Sequence, residues 1–452
     1  MGSNPTFPRS LQSQFFCAAR GNWNVVTGQH HLTFQRAPLR GEIHLPGDKS
    51  ISHRALIVGS ALQDSLCVNN VNIGSDVLAT ADVLRKLGAN VQLNGSEARV
   101  NPARVSNASD TLDCRNSAST ARMVLGLCAG ANLRARFDGD GSLRRRPMEP
   151  VTAQLRAFGA RIETEDGHLP ATMTGTPEIQ TRNFILFSPS AQIKSALLFA
   201  ALYARTGITI SNDAGSRDHT ERLLHALGAS ISFDRQGIEY QPSPLTAIPI
   251  DIPGDFSAAA FFIVGASICP GSSILIRDVG VNPTRTGLLD ALLCMGAKIS
   301  LSNYREWNTE PVADISVQAA DLQAVSIGSD IAARALDEIP ALAVAAAYAR
   351  GTTTIRGVRR LREKESDRLS TIARMLQHVG THVEVSEDSL QIIARADGAV
   401  PPTTAVATDG DHRIAMSVAA LAAAAGPLTI DDRGIIDVSF PSFALEWSKA
   451  QR

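Results

Sequence analysis

Cysteine is scarce in this 452-residue chain, and its six cysteines are scattered along it. They stand at these positions: Cys17, Cys67, Cys114, Cys128, Cys269 and Cys294. None of them forms a C-x-x-C pair, so the sequence predicts neither a zinc site nor a disulfide framework. We therefore expect a protein without a metal, from a reducing compartment such as a cytoplasm of bacterial type.

Long apolar runs and a strong net charge are also missing. Turns interrupt the alanine-rich runs within about 15 residues, which is too short to cross a bilayer and typical of core helices. The formal net charge is −1, which provides no basic field for nucleic acid. The hydrophobic content of 44% is ordinary for a globular enzyme with a large core. We therefore expect binding to neither membranes nor nucleic acids.

Acidic residues are absent from the first 41 positions, which hold four arginines. This composition fits a disordered leader over residues 1–30, a remnant of expression or an organellar transit peptide. The segment shows no clear amphipathic helix, which favours the first two and makes a plastid location the weaker alternative. We expect the folded part to begin near Leu32.

What the chain does contain is a repeated phrase, Leu-Gly-Ala. Before it, apolar residues recur at helical spacing, and after it, apolar and polar residues alternate as in a strand. Leu84 lies four residues before Gly88, and the β-branched Val91 lies three after it. The phrase recurs, with small changes, at these glycines: Gly159, Gly228, Gly296 and Gly380. Glycine accepts the left-handed backbone that ends a helix, so each phrase predicts a helix followed by a strand. Spacings of roughly 70 to 85 residues predict about six copies of one helix-plus-strand unit.

A second repeat consists of apolar helices of small residues with polar starts. Helices that are apolar all round are buried, and Asp, Asn and Ser are preferred N-caps. The six starts are Asp48-Lys49-Ser50, Asn116-Ser117-Ala118, Ser190-Ala191-Gln192, Asp255-Phe256-Ser257, Asp337-Glu338-Ile339 and Asp411-His412-Arg413. A cap is the simplest explanation of each leading residue. It does not explain why buried helices carry cations in their first turns.

Two breaks rich in glycine and proline divide the chain. Leu45-Pro46-Gly47 and Ile252-Pro253-Gly254 resemble each other, and we interpret them as two crossovers between halves of three units each. The first domain is then discontinuous, with residues 31–46 and 254–452. The second domain comprises residues 47–253.

Four clusters hold most of the unexplained cations: residues 46–54, 115–122, 143–147 and 362–368. The first places Lys49, Ser50 and Arg54 at a helix N-terminus, which is a typical anion site. In the last, Lys364 and Arg368 are four apart and are expected to share a helical face. By themselves, residues 143–147 fit a solvated loop and residues 362–368 an exposed, salt-bridged helix.

Taken together, the clusters predict a strongly cationic site if the helix N-termini converge. Its seven cations would be Lys49, Arg54, Arg122, Arg146, Lys364, Arg368 and Arg413. Two ligands that carry phosphate and carboxylate groups would match this charge, at about two negative charges per phosphate. Asp337 and Glu365 stand beside the same helix starts and would be free for proton transfer.

Three of these segments, residues 46–54, 364–369 and 411–416, resemble the signatures of the 5-enolpyruvylshikimate-3-phosphate synthase family. The resemblance extends from about residue 35 to the end of the chain. It implies an α/β (α+β) fold of two similar domains, each of three βαβαββ repeats, joined by two crossovers. It also implies transfer of the enolpyruvyl group of phosphoenolpyruvate to the 5-hydroxyl of shikimate 3-phosphate, with release of phosphate and without a cofactor.

The resemblance also implies ligand contacts and a monomer. Shikimate 3-phosphate would contact Lys49, Ser50, Arg54, Ser190, Ala191, Gln192, Arg217, Asp337 and Lys364. Phosphoenolpyruvate would contact Lys49, Ala118, Arg122, Arg146, Gln192, Glu365, Arg368 and Arg413. Asp337 would deprotonate the 5-hydroxyl. Glu365 would handle the proton at the methylene carbon, assisted by Lys49 or Lys364.

Two segments depart from the common family pattern. Residues 116–120 read Asn-Ser-Ala-Ser-Thr where the family reads Asn-Ala-Gly-Thr-Ala, so Ala118 replaces a glycine. Residues 438–441 read Val-Ser-Phe-Pro and lack the lysine of a Lys-Thr-Phe-Pro phrase. Both features resemble the branch that tolerates glyphosate, which implies that glyphosate is only a weak competitive inhibitor here.

Three other functions fit the sequence less well. A homologous transferase that acts on UDP-N-acetylglucosamine uses a cysteine near residues 143–147, but no cysteine lies between Cys128 and Cys269. A binding scaffold without catalysis is expected to lose Asp337, Glu365 or several cations, and the chain keeps them all. An RNA-end-processing relative needs a basic surface, which a net charge of −1 does not support.

Overall fold

The computed structural model describes residues 31–213, 215–234, 236–395 and 404–452. The leader predicted over residues 1–30 lies outside the described residues. The folded part opens with two short strands, β1 (Leu32–Phe34) and β2 (Arg40–Ile43). The first strand begins at Leu32, where the sequence predicted the start of the fold.

Helices and strands alternate between the two Gly/Pro breaks. They are α1 (Lys49–Gly59), β3 (Leu66–Asn69), α2 (Ser75–Lys86), β4 (Asn90–Asn94), β5 (Glu97–Asn101), β6 (Leu112–Asp113), α3 (Ala118–Gly130), β7 (Arg134–Asp138), α4 (Gly141–Arg144), α5 (Glu149–Phe158), β8 (Arg161–Glu165), β9 (His168–Thr174), β10 (Asn183–Ile185), α6 (Ala191–Ala204), β11 (Ile208–Ser211), α7 (His219–Ala226), β12 (Ser230–Phe233), β13 (Gly237–Gln241) and β14 (Ile250–Asp251).

The same alternation continues after the second break. The elements are α8 (Phe256–Ile268), β15 (Ser273–Gly280), α9 (Gly287–Cys294), β16 (Lys298–Trp307), β17 (Glu310–Gln318), β18 (Ser326–Ile327), α10 (Ser329–Arg334), α11 (Ile339–Tyr348), β19 (Thr352–Arg356), α12 (Arg368–Gln377), β20 (Val383–Val385), β21 (Ser389–Ile393), α13 (His412–Ala425), β22 (Leu428–Ile430) and α14 (Phe443–Ala450). Two 3-10 helices, Arg359–Glu363 and Arg433–Val438, complete this part.

Five sheets of the described chain share one plan. Each has four strands, in which a parallel pair is extended by an antiparallel hairpin. Their strand orders are β14-β3-β5-β4, β6-β7-β9-β8, β10-β11-β13-β12, β16-β17-β15-β2 and β18-β19-β21-β20. This repetition confirms the predicted α/β class and the repeated unit.

A sixth unit is present in reduced form. β22 pairs antiparallel with β1 from the start of the chain, and a parallel bridge joins Val406 to Ile430. The N-terminal strand therefore takes the place that a hairpin strand holds in the other units. This pairing closes the first half of the fold on itself.

The glycines of the repeated phrase end their helices as predicted. Gly88 has a φ of +90°, and Gly159 a φ of +126°. The remaining three, Gly228, Gly296 and Gly380, have φ values of +86°, +85° and +82°. A side chain would strain this backbone, which explains why the phrase keeps glycine while the residues around it change.

The helix starts agree with the sequence only in part. Asp48, Asp255 and Asp411 cap their helices by accepting a backbone N–H one or two residues into the first turn. Ser190 makes no such bond at the start of α6, and α11 begins after Glu338, one residue later than Asp337. Asn116 is not a cap either, because Ser117 caps α3 and the side chain of Asn116 bonds to Asp140 and Arg146. The explanation of Asn116, Ser190 and Asp337 as caps is therefore wrong, because none of these side chains bonds to its helix.

A second correction concerns Lys364 and Arg368. The 3-10 helix ends at Glu363, Lys364 is extended with φ −90° and ψ −157°, and α12 begins at Arg368. The two cations therefore do not lie on one helical face. Asp367 caps α12 by accepting the N–H of Ser370, and this cap sets the helix start after Lys364.

Buried apolar side chains form two separate clusters. One draws on residues 34–43 and 256–450, and the other on residues 51–252. α8 is buried at all of its positions and packs with α11 and α13 in the first cluster. No helix in the described ranges is long and apolar enough to span a membrane. The domain boundaries at residues 46 and 254 remain our interpretation of this division.

The two crossover segments are hydrogen-bonded to each other. Asp48 N donates to Pro253 O at 2.8 Å, and Asp255 N donates to Pro46 O at 2.9 Å. Arg285 is 2% exposed and forms ion pairs with both Asp48 and Asp255. Because Asp48 begins α1 and Asp255 begins α8, this arginine joins the first helices of the two halves.

Candidate active site

A cavity of about 110 Å³ lies where the two halves of the chain meet. Its wall is formed by Lys49, Ser50, Arg54, Asp76, Ala118, Ser119, Arg122, Arg146, Ala191, Gln192, Arg217, Asp337, Glu363, Lys364, Glu365 and Arg413. These residues come from segments up to several hundred positions apart. The convergence predicted from the sequence is therefore present in the structure.

Helix N-termini supply much of this wall. Lys49 and Ser50 begin α1, Ala118 and Ser119 begin α3, and Ala191 begins α6. The backbone N–H groups of a first turn have no partner within the helix, and the helix dipole makes that end positive. Several such ends at one cavity favour an anionic ligand, in particular a phosphate.

Two guanidinium groups of the wall have no carboxylate partner. Arg54 donates to the hydroxyls of Thr220 at 2.7 Å and Ser195 at 2.9 Å. Arg122 donates to Gln192 Oε1 at 2.5 Å and to a backbone carbonyl at 2.8 Å. In the described parts of the chain, no carboxylate lies within ion-pair distance of either group. Burial lowers the pKa of both arginines to about 10, so a bound anion would relieve an electrostatic cost.

Asp337 lies at the centre of four cations. Its carboxylate is 2.7 Å from Arg217, 3.2 Å from Lys364 and 3.3 Å from Arg368, and a more distant contact to Arg413 measures 3.8 Å. Burial alone would raise its pKa, but the surrounding cations outweigh that effect and hold the pKa of Asp337 well below its ordinary value. The carboxylate is therefore ionised at neutral pH.

Glu365 has a similar environment on the opposite side of Arg368. It forms ion pairs with Arg368 and, at 3.5 Å, with Arg146. Here too burial would raise the pKa, but neighbouring cations, Arg368 first among them, hold the pKa of Glu365 well below its ordinary value. Both carboxylates are thus held in the proton-accepting form.

Lys364 differs from the other cations in its protonation. Burial lowers its pKa to about 8, although Asp337 acts in the opposite direction. Its side chain keeps 29% of its surface exposed. A group with a pKa of about 8 gives and takes protons near neutral pH, which is the range where general acids and bases work best.

Contacts between the halves hold this cavity together. Arg217 from the second half reaches Asp337, and Arg146 reaches Glu365. Ser142 Oγ donates to the backbone carbonyl of Glu365 at 3.1 Å. These bonds place the candidate acids and bases of one half against the cations of the other.

Two predicted site residues do not line the cavity. Arg368 is fully buried one layer behind it, because Asp411, Glu365 and Asp337 surround its guanidinium. Ser190 precedes α6 and is absent from the wall, although Ala191 and Gln192 are present. Direct contact of either residue with a ligand remains a prediction from the family resemblance.

Sequence reasoning missed three residues of the wall, namely Asp76, Ser119 and Glu363. Asp76 forms a 2.8 Å ion pair with Lys49 Nζ and is 6% exposed. It lies in the first turn of α2, where the helix dipole favours an acid, so its presence there does not indicate a functional site.

Within the described ranges, no group of three His, Cys, Asp or Glu side chains is arranged to hold a metal ion.

The fold and the site define a two-domain α/β protein whose junction gathers cations and carboxylates around one cavity, as a transferase of anionic substrates requires. The model of the EPSP synthase (3-phosphoshikimate 1-carboxyvinyltransferase) family matches residues 34–447. The chain belongs to this family.

Individual relatives agree with the family match. The 3-phosphoshikimate 1-carboxyvinyltransferase of Desulforudis audaxviator is 44% identical over 90% of this chain and 96% of its own length. That of Anaeromyxobacter sp. is 41% identical over 90% and 95%. The solved EPSP synthase from Acinetobacter baumannii superposes with a TM-score of 0.81 at 32% identity, over 93% of this chain and 98% of that one.

A more distant structure matches the fold alone. The enolpyruvyl transferase NikO from Streptomyces tendae has a TM-score of 0.73 at 17% identity, over 94% of this chain and 98% of its own. This likeness extends the two-domain architecture beyond close relatives.

Proposed function

We propose that this chain transfers the enolpyruvyl group of phosphoenolpyruvate to the 5-hydroxyl of shikimate 3-phosphate and releases phosphate. The family match over residues 34–447 supports the activity, which serves the biosynthesis of aromatic amino acids. The observation that carries the proposal is a pair of arginines, the buried Arg54 and the partly buried Arg122, that line the cavity without a carboxylate partner. Two anionic substrates supply the missing charge.

Shikimate 3-phosphate is assigned to the side of the cavity formed by α1, α6 and the segment before α7. Lys49, Ser50 and Arg54 would bind this ligand at the N-terminus of α1. Ser190, Ala191, Gln192 and Arg217 would complete this subsite. Arg217 contacts Asp337 in this structure, so a phosphate bound by Arg217 would also release Asp337 to meet the 5-hydroxyl.

Phosphoenolpyruvate is assigned to the neighbouring side, between α3 and the segments around Glu365 and α13. Arg122, Arg146 and Arg413 line that side and would bind its phosphate and carboxylate. Lys49 and Gln192 lie between the two subsites and would contact both ligands. Arg368 is buried behind Asp337 and Glu365, where it orients both carboxylates.

The charges of the ligands would also change the pKa values of Asp337 and Glu365. In this structure the cations depress the pKa values of Asp337 and Glu365, which makes both carboxylates weak bases. Ligand phosphates and carboxylates would neutralise those cations and raise both pKa values toward the working range. Asp337 would then accept the proton of the 5-hydroxyl while the hydroxyl oxygen attacks C2 of phosphoenolpyruvate.

A proton must also reach the methylene carbon of phosphoenolpyruvate during the addition and leave it during the elimination. Glu365 would handle this proton, assisted by Lys49 or by Lys364, whose pKa of about 8 suits proton transfer. The cations of the wall would stabilise the negative charge on the phosphate as it leaves. Contacts between the halves would exclude water during these steps.

The test is phosphate release from phosphoenolpyruvate, measured with and without shikimate 3-phosphate. Asp337→Asn and Glu365→Gln should lower kcat by about 100- to 10,000-fold, the usual contribution of general acid–base catalysis, with much smaller changes in ligand binding. Asp314→Asn is the matched control, because Asp314 is also buried and paired with arginines but lies outside the cavity wall. Release of phosphate without shikimate 3-phosphate would contradict the proposed reaction.

We further propose that glyphosate is a weak competitive inhibitor of this enzyme. Ala118 is 6% exposed and lines the cavity at the first residue of α3, where its methyl group would obstruct an inhibitor longer than phosphoenolpyruvate. Ala118→Gly should lower the inhibition constant of glyphosate by at least tenfold. Ala131→Gly, at the far end of the same helix, is the control. An unchanged inhibition constant in Ala118→Gly would refute this explanation.

The assignment also includes a monomer in a cytoplasm of bacterial type. The relatives quoted above come from bacteria, and the cysteines of the described residues are free thiols, which fits a reducing compartment. Size-exclusion chromatography with light scattering tests the monomer. A stable dimer at micromolar concentration would refute it.

A further inference from the structure

A cluster of three buried titratable side chains lies behind the wall of the cavity. Lys194 in α6 is 1% exposed, and its Nζ is 2.7 Å from Asp213 and 2.8 Å from Glu221. Glu221 lies in the first turn of α7 and is fully buried. Asp213 follows β11. The proposed reaction uses none of these three side chains.

The burial of these charges calls for a reason. Removing an ion from water costs several kcal/mol, and apolar residues of similar size are often at least as stabilising. Burial alone lowers the pKa of Lys194, but Glu221 and Asp213 outweigh that effect and hold its pKa above the ordinary value. The lysine therefore stays charged at neutral pH, and its hydrogen bonds are charge-assisted.

A further contact of the lysine shows what the cluster holds. Lys194 Nζ also donates to the backbone carbonyl of Ser216 at 3.2 Å. This carbonyl belongs to the peptide bond whose nitrogen is that of Arg217. The side chain of Arg217 then extends into the cavity and contacts Asp337 at 2.7 Å. Lys194 thus fixes the backbone from which this arginine projects.

The position of Lys194 along its helix strengthens the connection. α6 begins with Ala191 and Gln192, which line the cavity, so the lysine lies about one turn further along the same helix. The cluster therefore ties the segment of Arg217 to the helix that forms the neighbouring wall. Glu221 anchors the other end of that segment, where α7 begins.

We propose that Lys194, held by Asp213 and Glu221, is a positioning residue for Arg217 and thereby for the phosphate of shikimate 3-phosphate. The inference rests on the proposed function for the identity of that ligand. Lys194 does not line the cavity, so its influence on the ligand passes through Arg217. A loss of the cluster should therefore weaken binding of shikimate 3-phosphate and leave phosphoenolpyruvate unaffected.

A double-mutant cycle between Asp213 and Arg217 tests this route. Asp213→Asn keeps the shape of the side chain and leaves the Lys194–Glu221 pair in place, so the protein should still fold. The measurement is the dissociation constant of shikimate 3-phosphate, by calorimetry, together with kcat and both KM values. Arg217→Met should raise that dissociation constant about 10- to 100-fold, the value of a lost hydrogen bond between charged groups. Asp213→Asn should raise it about 3- to 10-fold by itself.

The double variant decides between positioning and general stability. If the cluster acts by positioning Arg217, adding Asp213→Asn to Arg217→Met should leave the dissociation constant of shikimate 3-phosphate unchanged within about twofold. An equal fold-change in both backgrounds would overturn the proposal, as would a loss of thermal stability with unchanged binding. Asp314→Asn is the matched control and should leave the dissociation constant unchanged. Lys194→Met, where it folds, should repeat the Asp213→Asn pattern with a larger effect.

The wild-type measurements separate this proposal from the proposed function. If wild-type protein binds shikimate 3-phosphate but does not release phosphate from phosphoenolpyruvate, the proposed reaction is refuted. The double-mutant cycle still measures whether Asp213 is coupled to Arg217 in binding shikimate 3-phosphate. If turnover is normal and the cycle shows no coupling, the positioning is refuted and the reaction stands.

Discussion

Lys364 should make the binding of shikimate 3-phosphate depend on pH near pH 8. Burial lowers its pKa to about 8 from an ordinary value of 10.5. Below pH 8 the side chain is a cation facing the anionic ligands, and above pH 8 it is neutral. We therefore expect the affinity for shikimate 3-phosphate to fall as the pH rises through about 8. The phosphate of the ligand titrates near pH 6, so its own transition is separate.

Asp337 influences the pH at which this transition occurs, because its carboxylate lies 3.2 Å from Lys364 and raises the pKa of the lysine. Two unit charges at that distance interact by about 5 kcal/mol at an effective dielectric constant near 20, and by about 1.3 kcal/mol in water. The lysine is 29% and the aspartate 15% exposed, which places the pair between these limits. At 1.36 kcal/mol per pKa unit, Asp337→Asn should move the transition down by one to two pH units.

The assay is calorimetric titration with shikimate 3-phosphate between pH 5 and 9.5 (about the range in which the fold is expected to hold). Lys364→Arg keeps the charge over this range and should remove the transition. Lys49→Arg is the matched comparison and should leave the transition near pH 8. If Lys364→Arg retains it, or if Asp337→Asn leaves its position unchanged, another group is responsible and the reasoning is refuted.

Stability distinguishes this loss of affinity from unfolding. Between about pH 8 and 10.5 the folded chain holds fewer protons at Lys364 than the unfolded chain does. The contribution of this group to the free energy of unfolding therefore rises with pH in that interval. Urea denaturation should accordingly show no loss of stability from Lys364 in the range where binding weakens.

Three further predictions concern the frame of the site. Arg285→Met leaves buried carboxylates unpaired at the crossovers and should lower the free energy of unfolding by about 3–5 kcal/mol in urea denaturation; a change below about 1 kcal/mol would contradict its role. In Gly126→Ala the new methyl group would overlap a backbone carbonyl of α6 and should cost at least about 1–3 kcal/mol, whereas Gly328→Ala, in open space, should stay within about 0.5 kcal/mol. Asp76→Asn removes the ion-pair partner of Lys49 and should lower kcat/KM about tenfold, and unchanged kinetics would show that Lys49 needs no such partner.

The repeat architecture was predictable because a few adjacent residues encode each helix end. Gly88 and its counterparts adopt positive φ in a phrase that can be recognised without any tertiary information. Asp48, Asp255 and Asp411 cap their helices by the same local rule. The convergence of the cations followed from the family resemblance and from their placement at helix starts.

The layering of the site was not predictable in this way. Arg368 was expected at the cavity, but three carboxylates from separate segments surround it and leave it buried. Lys364 was expected on the face of a helix, but the cap at Asp367 begins that helix after it. The burial of Arg368 depends on residues distant in sequence, and the conformation of Lys364 depends on which nearby residue begins the helix. A local sequence pattern shows neither of these.

One long-range signal does exist in the sequence. The ion pairs Lys49–Asp76, Lys194–Glu221 and Asp337–Lys364 each join residues 27 positions apart. In the first two pairs, the acid lies in the first turn of the helix that follows the core helix of its unit. The same spacing therefore joins residues near the starts of two successive helices three times, with the signs of the charges exchanged in the third pair.

The same spacing makes Arg122 informative, because its counterpart 27 positions on is Glu149, in the first turn of α5. Here the pair does not form: Glu149 binds Arg156 at 2.8 Å, while Arg122 donates to Gln192 and to the carbonyl of Pro147. An acid thus stands at the same spacing from Arg122, but it pairs with Arg156 instead. A partly buried guanidinium without a carboxylate partner is available to an external anion, so Arg122, like Arg54, carries a charge that a bound anion would balance.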